Sequence, residues 1–261
     1  MKSASTRRGP KTPDGLDQVY GVHALQSLLD RGEAPRELWV QQGAGSRLKE
    51  LVAHAQSQGA RVKEQPRDLL DQLTQGAAHQ GVVAFCPPLT PEGEESLWLK
   101  LRAWPSSTPP LLLILDGVTD VHNFGACLRS ADAAGAHGVI VAKDKAAPLN
   151  ATVRKVACGA AEVVPVYQVT NLARTLAKLK DAGVWITGTA GEAEASVFDI
   201  DMTGPTALVM GAEGKGMRRL TREVCDNLAK LPMAGEVSSL NVSVATGICL
   251  FEAVRQRQLA S

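Results

Sequence analysis

Paired cysteines are missing from this chain. Its five cysteines, Cys86, Cys127, Cys158, Cys225 and Cys249, are odd in number and never fall in Cys-x-x-Cys spacing, which argues against a disulfide framework and a structural zinc site. They read as buried free thiols in a reducing compartment. Cysteine and histidine are scattered without ligand spacing, so no metal is expected. No apolar run reaches membrane-spanning length, and the basic start, Met1 to Lys11, lacks the apolar core of a signal peptide. The expectation is a cytoplasmic enzyme without a membrane partner, with residues 1–15 as a disordered basic arm. In that arm Lys2, Arg7, Arg8 and Lys11 either touch phosphates or simply end the chain in solvent. An excess of positive charge is missing too: 28 Lys and Arg against 27 Asp and Glu leave +1, which withholds the global signature of a nucleic-acid binder. Local patches survive that sum, at Lys143, Lys145, Arg154 and Lys155, and at Arg218, Arg219 and Arg222.

What is present is a chain of 261 residues, 44% hydrophobic, long enough for about two domains. In the first half, Val22 to Leu29 and Leu48 to Ala55 read as helices, and Leu38 to Val40, Arg61 to Val62 and Gly81 to Cys86 as strands. Seven prolines and glycines between Pro87 and Pro110 place a Pro-rich linker at 87–110 between domains 16–86 and 111–261. In the second half, apolar segments 111–115, 138–142, 162–166, 184–187 and 206–210 alternate with helical stretches such as Leu172, Leu176 and Leu179. That alternation indicates an α/β fold, a mostly parallel sheet with helices on both faces, whose ligands sit beyond the strand C-terminal ends.

Three segments fall at such ends. Leu111 to Leu115 runs into a polar loop and a helix starting near Asn123, with Gly125 allowing close approach of a backbone or ligand. Arg129 lies six residues on, roughly 120° round the helix from Asn123, so both can line one cleft without touching. Thr206 to Met210 breaks into Gly211-Ala212-Glu213-Gly214-Lys215-Gly216, which is not a phosphate loop because the lysine and hydroxyl are misplaced. Its glycines suggest close backbone approach to a ligand, or a tight turn. Last, Ser239-Leu240-Asn241 meets a helix whose stripe is Val244, Ile248, Phe251 and Val254, with Arg255 and Arg257 on its polar side. The short polar side chains suit either a ligand at the helix start or ordinary capping.

Together, Asn123-x-Gly125-x3-Arg129, Met210-Gly211-x-Glu213-Gly214-x-Gly216 and Ser239-Leu240-Asn241-Val242-Ser243 resemble the three ordered motifs of the SpoU/TrmH class of RNA ribose 2'-O-methyltransferases, within the SPOUT superfamily. The resemblance covers Leu111 to Arg257. More weakly, Gly21-Val22-His23-Ala24 and His79-Gln80-Gly81 resemble the small α/β, ribosomal-protein-like RNA-binding domain of bacterial 23S rRNA guanosine 2'-O-methyltransferases. The resemblance implies a C-terminal trefoil knot, a homodimer, S-adenosylmethionine as cofactor, and 23S rRNA or a ribosomal assembly intermediate as partner, modified in the peptidyl-transferase region. It implies cofactor contacts from Thr189, Gly211, Leu231, Met233, Ser239 and Leu240. It implies that Asn123 and Asn241 position the arginine and the ribose, that Glu213 orients the Arg129 guanidinium, and that Ser239 hydrogen-bonds within the site. Arg129 stabilises charge and positions substrate at the least, with proton abstraction open. A tRNA ribose methyltransferase, or a resistance-type or non-catalytic relative, is the alternative.

Overall fold

The computed structural model describes residues 12–105 and 107–260. The arm cations Lys2, Arg7, Arg8 and Lys11 lie outside the described residues. The chain divides into two compact units, Met1–Leu89 and Thr90–Ser261.

The first unit runs β1 (Asp17–Tyr20), α1 (Val22–Asp30), β2 (Glu37–Gln41), α2 (Ser46–Ser57), β3 (Arg61–Gln65), α3 (Arg67–Thr74) and β4 (Val82–Cys86), with strands ordered β1-β4-β2-β3. All five residues of β4 are buried, because alternate side chains serve opposite faces. Val82, Ala84 and Cys86 join Leu25, Leu28, Leu29 and Leu51 of α1 and α2. Val83 and Phe85 meet Leu70 and Leu73 of α3, with Trp39 edge-on to Phe85 at 5.0 Å. The two short motifs are brought together here. Gln80 Oε1 accepts from Val22 N at 2.8 Å, while His79 Nδ1 accepts from Gly81 N and its Nε2 meets Asp71 Oδ1 at 2.8 Å. They lock the entrance of β4 against the start of α1.

The second unit begins inside the stretch expected as linker, with β5 (Glu92–Gly93) and α4 (Glu94–Arg102). The prolines flank this helix and none falls between Pro91 and Pro105, so nothing interrupts it. Glu94 and Glu95 open it, Lys100 and Arg102 close it in accord with the helix dipole, and Leu97 is buried. There follow β6 (Leu111–Asp116), α5 (Val121–Ala133), β7 (Gly138–Ala142), α6 (Ala151–Ala157), β8 (Val166–Val169), α7 (Leu172–Asp181), β9 (Trp185–Thr189), β10 (Ala195–Ser196), β11 (Thr206–Gly211), α8 (Arg219–Val224), β12 (Asn227–Lys230) and α9 (Val242–Ala260). The order is β10-β12-β9-β11-β6-β7-β8-β5, and every neighbouring pair is parallel. Leu97, Leu172, Leu176 and Leu179 cover one face. The helices α5 and α9 pack side by side, with α9 also meeting β11. The strand order reverses direction between β6 and β11, the crevice where doubly wound sheets take ligands.

Four expectations are corrected. Residues 160–162 form a 3-10 turn, and the third strand starts only after Pro165, because Glu162 turns inward to meet Arg154. The same ion pair removes Arg154 from the basic patch: its side chain is 3% exposed and that of Glu162 is fully buried. The stripe on α9 is not its buried face: Val244 and Phe251 are about half exposed, while Thr246, Cys249, Leu250 and Ala253 are buried. Small residues face α5, with Cys127 Sγ 3.5 Å from Thr246 Oγ1, which lets the two helices approach closely. Arg257 is partly buried rather than free on the polar side. Its guanidinium donates to the carbonyls of Pro109, Pro110, Met202 and Gly204, and burial lowers its pKa.

Candidate functional site

At the crevice, the loops after β6 and β11 and the start of α9 converge. Gly211 pairs in register with Asp116, so the two strands end side by side. Asp120 caps α5 by accepting from Asn123 N at 2.7 Å, which fixes Asn123 in the first turn. From there Asn123 Nδ2 donates to Glu213 Oε1 at 3.3 Å. Asn241 Nδ2 donates to the same oxygen at 2.7 Å and to Asn123 Oδ1 at 2.9 Å, and Val242 N adds a fourth bond to the network at 3.2 Å from Glu213 Oε1. Asn241 Oδ1 accepts from Ser243 N and Ser243 Oγ. Because an ionised carboxylate only accepts, both asparagines must turn their NH2 groups toward Glu213. The three motifs therefore meet in one hydrogen-bonded cluster.

Two cavities of about 470 Å³ each flank the cluster and share Ala212, Glu213, Lys215, Gly216 and Val242 as walls. The first takes in all six residues expected around the cofactor: Thr189, Gly211, Leu231, Met233, Ser239 and Leu240. Thr189 is anchored there by its hydroxyl, which donates to Val209 O at 3.1 Å. Ser239 and Leu240 lie on the wall, and the Ser239 side chain makes no hydrogen bond among the described residues. Arg222 pairs with Glu192 across the same wall. The second cavity lies on the β6 side and includes Asp116, Asp120, Asn123, Lys145 and Arg218.

The structure does not bring Arg129 to Glu213. Glu213 Oε1 is engaged by the two asparagines and by Val242 N, whereas Arg129 is exposed and directs Nη1 toward Cys158 Sγ at 3.7 Å. Arg129 lines neither cavity. Cys158 is exposed, so the expectation of five buried thiols fails there, and Cys225 is only partly buried. Burial does push the Cys127 thiol up to about 11, with the Glu213 charge acting in the same sense, and Cys249 up to about 12.

The glycines also divide by role. A Cβ on Gly125 would stand 2.7 Å from Val156 Cβ and 2.9 Å from Val153 O, so this glycine admits α6 rather than a ligand. A Cβ on Gly211 would stand 2.3 Å from the carbonyl carbon of Gly216, because the loop closes on itself through mutual Ala212 and Gly216 backbone bonds. Sequence reasoning passes over Asp116. It is fully buried and accepts from Arg218 N at 2.7 Å and from Arg218 Nε. The available signal is an acid ending an otherwise apolar strand. Arg219 and Arg222, the rest of that basic run, pair with Glu223 and Glu192.

Comparison with known proteins places this geometry. Residues 110–251 match the SpoU rRNA methylase family, and residues 18–92 match the RNA 2'-O ribose methyltransferase substrate-binding family. The chain is 58% identical, over 94% of its length and 98% of the relative's, to the 23S rRNA (guanosine-2'-O-)-methyltransferase RlmB of Pseudomonas putida. It is 56% identical to the protein of that name from Escherichia coli K12, over 92% of this chain and 99% of the relative. Among solved structures, the SpoU methyltransferase AviRb from Streptomyces viridochromogenes, in complex with the cofactor AdoMet, superposes with a TM-score of 0.75 at 28% identity, covering 94% of this chain and 92% of that one. With its three motif segments joined in one cluster and the match running through all of them, the chain belongs to the SpoU rRNA methylase family.

Proposed function

We propose that this chain is a 23S rRNA guanosine 2'-O-methyltransferase that uses S-adenosylmethionine. The observation that carries the reading is the Asn123, Glu213 and Asn241 cluster, set in the wall shared by two cavities, one suited to the methyl donor and one to the acceptor. The first cavity fits the cofactor in chemistry: Leu231, Met233 and Leu240 offer an apolar wall, and the 211–217 loop offers backbone groups. Bound there, S-adenosylmethionine supplies a methyl group on a positively charged sulfur. The transfer forms an oxygen–methyl bond at the ribose, breaks the sulfur–methyl bond and releases the hydroxyl proton.

The chain's part is to hold the acceptor oxygen and receive that proton's hydrogen bond. Asn123 Oδ1 accepts a single bond from Asn241 and keeps a lone pair for the hydroxyl, while Asn241 Oδ1 is saturated by Ser243. Arg129 is assigned to stabilising the negative charge that develops on the oxygen. Since it lines neither cavity of its own chain, that role depends on a second copy. The half-exposed Val244 and Phe251 on α9, beside α5, support a homodimer through this face. The first unit is assigned to RNA binding, the region after β11 to the trefoil knot, and the site of action to the cytoplasm. Among the described residues no helix is long and apolar enough to cross a membrane.

The test is tritiated methyl transfer to unmodified 23S rRNA and, separately, to bulk tRNA, followed by nuclease mapping. Label on one guanosine ribose of 23S rRNA is expected. Label on tRNA alone overturns the rRNA reading.

A further inference from the structure

We propose that the second cavity grips the sugar–phosphate backbone of the RNA through Arg218 and Lys145, independently of base identity. This rests on the reading of the cluster as the acceptor side of an RNA ribose methyl transfer. The cavity shares its Asn123 and Glu213 edge with the cluster, so whatever fills it lies beside the acceptor oxygen.

Its lining decides between base and backbone. Single-stranded bases are held by stacking on aromatic rings, and no aromatic residue lines this cavity. What lines it instead is charge: Lys145, Lys215 and Arg218 against Asp116, Asp120 and Glu213. The acids are already hydrogen-bonded within the protein, though only Asp116 to a charged donor. Asp116 is buried behind Arg218, Asp120 accepts from Asn123 N, and Glu213 accepts from Asn123, Asn241 and Val242. The lysines are not: among the described residues neither Lys145 nor Lys215 makes a side-chain hydrogen bond or ion pair.

Arg218 is built into place. Its backbone N and its Nε both donate to the fully buried Asp116, which fixes the guanidinium plane. Its two terminal nitrogens donate to nothing among the described residues, and the side chain stays 44% exposed. A pinned guanidinium presenting a free fork matches a phosphate's paired oxygens. Lys145 faces the same space from the loop after β7 with φ +59°, a backbone conformation that non-glycine residues seldom adopt and that aims the residue off the strand's path.

The test is filter binding of the whole protein to a 23S rRNA transcript across a potassium chloride series, paired with calorimetry of S-adenosylmethionine binding. Lys145→Gln removes a charge that the fold does not use, and Arg218→Gln keeps the backbone bond to Asp116. Each is expected to weaken RNA binding severalfold and to flatten the slope of log K against log salt by about 0.7, the value for one phosphate on single-stranded nucleic acid, with cofactor affinity within about twofold of the parent. Lys143→Gln, on a lysine outside the cavity, is expected to leave the slope unchanged. An unchanged slope in Lys145→Gln overturns the proposal, as does an equal loss in Lys143→Gln, which would indicate diffuse charge. A slope that flattens in a protein that methylates no RNA would fault the methyl-transfer reading alone. A protein that labels 23S rRNA while its slopes stay put would fault this inference alone.

Discussion

Glu213→Gln isolates what the carboxylate charge contributes to the cluster. Three donors converge on its Oε1 at 3.3, 2.7 and 3.2 Å, and a glutamine amide oxygen can occupy the same point. The contacts survive and the charge does not. A hydrogen bond to an ionised acceptor is stronger than one to a neutral acceptor by about 1 kcal/mol, so three bonds set an upper limit of about 3 kcal/mol. Glu213 is exposed, and solvent screening roughly halves that figure, to about 1.5 kcal/mol, or about a tenfold fall in kcat/KM. Glu213→Ala removes the anchor altogether, releases both asparagine side chains, and is expected to cost about a hundredfold. The assay is steady-state methyl transfer to 23S rRNA, with thermal unfolding as the control for folding. A Glu213→Gln enzyme as fast as the parent would refute the claim that charge holds the two amides, and a Glu213→Ala enzyme as fast as the parent would remove the cluster from the site.

Other consequences are open to measurement. Leu240→Arg places a cation on the wall of the first cavity, against a positively charged sulfur, so calorimetry should show S-adenosylmethionine affinity lowered at least about tenfold with little change in melting temperature. Glu162→Gln leaves the buried Arg154 without its compensating charge and should cost about 3–5 kcal/mol in urea unfolding; a cost under about 1 kcal/mol would contradict the burial. Cys127 and Cys249 keep their protons to about 11 and about 12 when folded, whereas unfolded thiols ionise near 9.0. The unfolded state thus binds fewer protons above that point, and stability should fall as pH rises from about 9 to 11, less steeply in a Cys127→Ala, Cys249→Ala variant.

Much of the site was legible because each motif pairs a local signal with a strand or helix end. Leu111 to Leu115 followed by Asp116, and Thr206 to Met210 followed by glycines, announce strands that stop, and Asn241 announces a helix that starts within a residue of where α9 begins. Long-range pairing leaves no such trace. Nothing in the local pattern says that Glu162 seeks Arg154, that Arg257 reaches four carbonyls, or that Arg129 parts company with Glu213. Periodicity likewise marked α9 as a helix but pointed to the wrong side as the covered one, because the buried face carries threonine, cysteine and alanine beside Leu250. The density of prolines near 87–110 hid α4, whose nine residues lie within a proline-free run of thirteen from Glu92 to Trp104.

The bonds of the cluster join residues 90, 28 and 118 positions apart. No stretch of the chain holds a fragment of this site in advance. Until α9 is seated against α5, Asn241 has only Ser243 as a partner, and Glu213 lacks both amides. Regained methyl transfer during refolding is therefore a clock for the last long-range step, and it should lag behind recovery of helical signal, which needs only local turns.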